Sequence, residues 1–434
     1  MNHRFVRLLL VLVVSILGLA GCSSGPPGRD GQYRSPTAAG STLSARPSPG
    51  HPTSPTSRDG VDKLLSDIVR AVDTGDRSLF DSLVSDQDPG FRTTAGMIRD
   101  NLLEIHPADF ALRPTGRRRD LSGRRSQVLG RNAYAVEVDV SWSVPGDRAP
   151  SDQRVWMTIA RSGAGLRWAG VADGPPQQRP TPLWWLEPVD YRHSGNATVI
   201  SGNQIDAANW AAAANTAISK DAPRLPGFGW NRRLVIIVPS NERLMEQTLG
   251  DVPGTNTALA AITWPDGSRA ATAPIRILIN PAGVRSPLAT AIVLSHETVH
   301  VATRSPLSPA PTWLVEGFAD YIAYRNYPQG VQPAAAELLA DVKRHGPPNA
   351  LPGASAFSVG RTDLNRSYAE AWLACRYLAG RFGEPRLLRF YAAVDRSRDG
   401  SIAGPAHAVF GISEHRLVRG WQRYLQSAAE RGRI

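Results

Sequence analysis

One stretch limits what this chain can fold into more than any other: Ala291-Ile-Val-Leu-Ser-His296-Glu297-Thr298-Val299-His300-Val301. Ser286 and Pro287 open it as a helix, with a hydroxyl at the N-cap and a proline in the first turn. The helix is apolar nearly all round, so it belongs inside a core, and the rest of the chain must cover it on every side. Yet it carries two histidines and a glutamate, which are costly to bury without partners. His296 and His300 are four residues apart and stand one turn above the other, so both imidazoles can reach a single ion. Glu297 lies about 100° further round the axis, beside such an ion rather than on it. A carboxylate there can take a proton from metal-bound water. The plainer alternative is a pair of core histidines satisfied by backbone carbonyls.

A second signal follows. Pro309 and Pro311 break the chain, and Thr312-Trp313-Leu314-Val315-Glu316-Gly317-Phe318-Ala319-Asp320-Tyr321 starts a new helix that can fold back on the first. Glu316, in its first turn, completes a His, His, Glu set and leaves the fourth position of a zinc ion to water. Asp320, one turn on along the same face, can accept the free ring N–H of a ligating histidine and so fix its tautomer. Against this stands a Glu316 that merely favours a helix start and an Asp320 on a solvated face.

His296-Glu297-x-x-His300 followed by Trp-Leu-x-Glu316-Gly-Phe-Ala-Asp320-Tyr resembles the gluzincins, the thermolysin-like and aminopeptidase-like zinc peptidases, over roughly residues 230 to 425. The resemblance implies one Zn2+ per chain held by His296, His300 and Glu316, with Glu297 as general base and Asp320 supporting a ligand. It implies a peptide or protein substrate. It also implies a Tyr or His at the oxyanion. Ser367-Tyr368-Ala369-Glu370-Ala371-Trp372 looks like the Tyr-bearing helix of the aminopeptidase branch, which makes Tyr368 the candidate and His345, Tyr377 and His407 its rivals. The alternative for Tyr368 is a core ring with its hydroxyl at the surface. Two departures bear on substrate. The motif that anchors a free amine in exopeptidases has no counterpart, and the His300 to Glu316 spacing is slightly shorter than the aminopeptidase pattern. Ile275 to Ile279 reads as an edge strand for an extended peptide, and Gly346 to Arg366 as a lid.

The N-terminus sets the address. Arg4 and Arg7 precede an apolar run, Leu8 to Leu19, too short for a comfortable membrane span, and then Leu19-Ala20-Gly21-Cys22. This resembles the bacterial lipobox, which implies a lipidated Cys22 and a protein anchored on the extracytoplasmic face of the cell membrane. Residues 1–22 are expected to take no part in the fold. Only Cys22 and Cys375 are present, so no internal disulfide is expected, and Cys375 reads as a small buried hydrophobe. The net charge of +11 comes with no nucleic-acid recognition motif, so attraction to an anionic membrane or wall is the better reading.

The 434 residues suggest two folded units of an α+β kind. Residues 23–59, dense in Ser, Pro, Gly and Thr, read as a tether. Residues 60–175 open with helices and end in alternating strands, Tyr134 to Val140, Val155 to Ile159 and Leu166 to Val171, a pattern that resembles the SnoaL-like cone. Pro-rich residues 176–185 look like a junction. Residues 176–434 hold a small sheet and then a mostly helical half, the expected metallopeptidase domain. The competing function is a non-catalytic surface lipoprotein, a binding or scaffolding module whose zinc site is structural or vestigial.

Overall fold

The computed structural model describes residues 55–163, 165–175, 179–255, 259–267, 272–328 and 331–434, together with the short strand β1 (Leu8–Leu10). Cys22 and the tether up to residue 54 lie outside the described residues. The expected tether is helical from Pro55, where α1 (Pro55–Asp73) begins, and its buried stripe of Leu64, Leu65, Ile68 and Val72 follows the helical spacing. Asp76 caps α2 (Arg77–Ser82), and Asp88 caps α3 (Pro89–Ile105) with Pro89 in its first turn. Then come β2 (Ala108–Asp120), α4 (Gly123–Leu129), β3 (Tyr134–Ser143), β4 (Ser151–Ser162) and β5 (Gly165–Gly170). The four strands form an antiparallel sheet in that order, and register shifts along β2 bend it.

The end of the stretch that reads as a junction, Pro182 to Trp185, is buried in the core. α5 (Leu183–Leu186) inserts Trp184 against Trp142 and Trp185 against Trp168, ring centroids 6.0 and 5.4 Å apart. Asn101 of α3 fastens it, its amide N–H groups donating to the carbonyls of Trp184 and Glu187 at 2.7 and 2.8 Å.

The second sheet is built from β6 (Val189–Ser194), β7 (Ala197–Gly202), α6 (Ala207–Asp221), β8 (Leu234–Val238), α7 (Glu242–Leu249), β9 (Ala261–Pro265) and β10 (Ile275–Ile279). Its order is β1-β9-β10-β8-β7-β6, with β7, β8 and β10 parallel in the middle. β8 is buried along its whole length, as an unbroken apolar run in a parallel sheet should be.

Two expectations are corrected. Ile275 to Ile279 is no edge: β10 is paired on both sides, by β9 and β8, because its apolar run suits the buried middle of a sheet. β9 is in turn flanked by β1, so the strands at the two ends of the sheet are β1 and β6. Nor do residues 1–22 wholly avoid the fold, since Leu8–Leu10 pair antiparallel with Ala261–Thr263. An open sheet edge presents unpaired N–H and C=O groups, and an extended apolar segment satisfies them.

Seven helices end the described chain: α8 (Pro287–Thr303), α9 (Thr312–Asn326), α10 (Val331–His345), α11 (Leu364–Phe382), α12 (Glu384–Asp395), α13 (Ala403–Phe410) and α14 (Glu414–Arg431). α8 lies against β9 and β10 on one side and α6 and α9 on others, which is why it is apolar all round. Gly317 lets α9 approach α11 closely: a Cβ there would stand 2.2 Å from the Ala371 carbonyl oxygen.

Candidate metal centre

α8 begins with Ser286 Oγ accepting from the Ala289 N–H at 3.1 Å and ends at Arg304, whose φ of 52° closes the helix in the left-handed region. Every residue from Ile292 to Thr303 is buried. His296 and His300 face each other edge to face at 4.5 Å between ring centroids. α9 brings Glu316 to them, with its Oε2 3.2 Å from His296 Nε2 and 3.5 Å from His300 Nε2. One donor atom from each of the three lies within 4.8 Å of the others. On the far side of His296, Nδ1 donates to Asp320 Oδ1 at 2.8 Å. Glu297 is buried on the same helix, and Thr263 of β9 donates its hydroxyl to Glu297 Oε2.

The electrostatics match a cation. Burial alone would lower the His296 pKa, but the carboxylates of Asp320 and Glu316 outweigh it and hold the ring protonated up to about 10. Burial works to raise Glu316, and the two imidazoles overcome it, keeping the carboxyl below its ordinary range. Glu297 goes the other way: burial pushes it up against the pull of His300, His296 and Thr263. His296 Nε2 and both oxygens of Glu316 are buried without a hydrogen-bond partner among the described residues. Orphaned polar atoms this deep cost a few kcal/mol each unless something fills the space between them. Two imidazoles and a carboxylate are the donor set of a zinc ion with one position left open.

No protein-family model matches the chain, and no curated protein matches it.

The remaining candidates fall into two groups. Tyr368 lies on α11, one turn before the Ala371 contact with Gly317, and is buried with Phe357 edge-on at 5.3 Å. The rivals sit elsewhere: His345 is exposed and bonded to Asp341, His407 is exposed on α13, and Tyr377 packs on Tyr424. Cys375 is fully buried, and burial pushes its thiol well above the ordinary range.

Two contributors escape the sequence reading. Thr263 is one polar residue in an apolar strand, and only the pairing of β9 beside α8 reveals its contact. Asp221, at the end of α6, accepts from Ser295 Oγ at 2.8 Å and from the Asn326 amide, behind the histidine helix. Burial raises its pKa from 3.8 to about 7. Nothing in its local sequence marks it.

Proposed function

We propose that the chain is a zinc peptidase of the gluzincin type, its first sheet a SnoaL-like cone, carried on the extracytoplasmic face of the membrane by a lipid on Cys22. The carrying observation is that His296, His300 and Glu316 share one buried point with orphaned donor atoms, Asp320 behind one ligand and Glu297 alongside. His296, His300 and Glu316 would hold a zinc ion, which would supply Lewis acidity to a carbonyl and to water near neutral pH. Glu297 takes the proton of the attacking water and returns it to the leaving amine, while Thr263 steadies its other oxygen. Asp320 keeps His296 in one tautomer and orientation. Tyr368 is the group proposed for the oxyanion. A peptide substrate is supported by β9, whose outer edge takes an extended segment alongside the strand that bears Thr263. Among the described residues no helix is long and apolar enough to cross a membrane.

Complete burial of the ligands favours a second reading, a closed structural zinc centre in a surface lipoprotein that binds or scaffolds. On the peptidase reading the cover must open, and the turn Ala354–Phe357, packed on α9 and α11, is the part of the 346–366 stretch proposed to move.

The test is metal content by mass spectrometry together with hydrolysis of a peptide library. Wild type should hold about one zinc per chain and His296→Ala none. Glu297→Gln should keep the metal and lose turnover by about 10²- to 10⁴-fold. Wild type that stays metal-free after zinc is supplied overturns the centre. A zinc-loaded chain that cleaves no peptide hands the case to the structural reading.

A further inference from the structure

The first sheet and α1 line a pocket of about 480 Å³ that shares no residue with the histidine centre. This is the size of a small-ligand site. Its lining carries four cations, Lys63, Arg118, Arg161 and Arg167, against one carboxylate, Asp67. That carboxylate is already engaged, by Lys63 and Arg70 at 2.8 Å each. Arg118 reaches only Asp120, at 3.9 Å, and Asp120 is 92% exposed. Among the described residues neither Arg161 nor Arg167 has a carboxylate partner, and Arg167 bends back to donate to the Leu166 carbonyl.

Three arginines line one hollow, and among the described residues no ion pair closer than Arg118–Asp120 at 3.9 Å offsets their charge. An anion would. Arg118 is also held in place, its guanidinium carbon 3.7 Å from the centre of the Tyr134 ring. The lining also includes three apolar residues, Leu64, Leu83 and Leu166. A carboxylate offers two oxygens and suits one arginine fork, whereas a phosphate ester presents oxygens in several directions.

We propose that this pocket binds a phosphate ester with an apolar substituent, its phosphate among Arg118, Arg161 and Lys63 and its apolar part on Leu64, Leu83 and Leu166. The ester can reach the pocket as a free molecule or as the headgroup of an anionic lipid. Both present the same chemistry to the same residues. The site is independent of the metal centre and stands whether or not the chain is a peptidase.

The experiment uses the full chain and two probes: hexyl phosphate by calorimetry, and sedimentation with vesicles of phosphatidylglycerol in phosphatidylcholine against pure phosphatidylcholine. The Arg118→Gln/Arg161→Gln variant is compared with Arg416→Gln/Arg419→Gln, an equal charge loss on the exposed face of α14. Loss of a charge-assisted contact at two positions should weaken binding at least about tenfold in the pocket variant and hardly at all in the control. If hexyl phosphate shows the loss, the free ester is the ligand. If only the preference for phosphatidylglycerol shows it, the ligand is the lipid headgroup. Binding of neither probe, or equal weakening in both variants, overturns the site and leaves only diffuse positive charge. Should the pocket variant melt early, Arg161→Glu alone carries the same comparison.

Discussion

At the residue scale, the centre depends on side chains that act through others. Asp320 touches His296 at 2.8 Å, and Asn in its place keeps the size but removes the charge that orients the ring. Asp320→Asn should weaken zinc affinity about 10- to 100-fold with the fold intact, measured by competition with a chromogenic chelator. Unchanged affinity would mean that the ring is positioned by packing alone. Asp221 is the second case, and its sign follows from its proton. The folded state holds that proton up to about pH 7, while the unfolded chain releases it near 3.8. Between those values the folded state binds more protons, so this group's contribution is full below pH 3.8 and is lost as pH rises through 7. The slope is on the order of 1.4 kcal/mol per pH unit within the window. Asp221→Asn still offers an oxygen to Ser295 and Asn326 but cannot ionise, so its stability relative to wild type should rise between pH 5 and 8. Urea midpoints at the two pH values, both proteins zinc-loaded, read this difference. A variant that keeps the wild-type slope would show that Asp221 titrates normally.

At the element scale, the crossing of α9 on α11 sets where Glu316 and Tyr368 stand relative to each other. Gly317 has no room for a side chain, since its Cβ would meet the Ala371 carbonyl oxygen at 2.2 Å. Gly317→Ala, a favourable change on an open helix, should therefore destabilise by about 1–3 kcal/mol, seen as a lower melting temperature, and zinc binding should weaken as α9 is pushed off. A stability gain would mean that the helices have room to part. This element also shows how much was legible. The helix starts were written locally: Ser286 before Pro287, and the prolines before Thr312, place α8 and α9 where the structure has them. The spacing from His296 to His300 and from Glu316 to Asp320 set which side chains share a helix face, and the fold brings the two helices together. What could not be read was pairing between distant strands. Ile275 to Ile279 is apolar and short, which suits an edge and a centre equally, and only the chain's return through β9 decides that β10 is interior. Thr263 was hidden for the same reason, because its contact exists only once β9 lies beside α8.

At the scale of the molecule, the first sheet and the second are held together by a charge that neither could bury alone. Arg276, on β10 directly before the histidine helix, is fully buried. Its guanidinium binds Asp147 from the β3–β4 turn and Asp266 after β9, and lies 4.0 Å from the centre of the Trp142 ring. Gln153 of β4 adds a donor to Asp266 at 2.6 Å. The clamp therefore joins the aromatic core of the first sheet to the strand that leads into α8. Removing its cation strands two carboxylates in a dry interface. Arg276→Met, close in volume, should cost about 3–5 kcal/mol, where a surface pair would cost almost nothing. Asp147→Asn and Asp266→Asn in the same chain remove the stranded charges and should recover much of the loss. That recovery separates an electrostatic clamp from simple packing of a long side chain, because packing lost at Arg276 would stay lost. If the triple variant is no more stable than Arg276→Met alone, the two sheets are joined by their apolar contacts, and the buried arginine is incidental to how the histidine helix is placed.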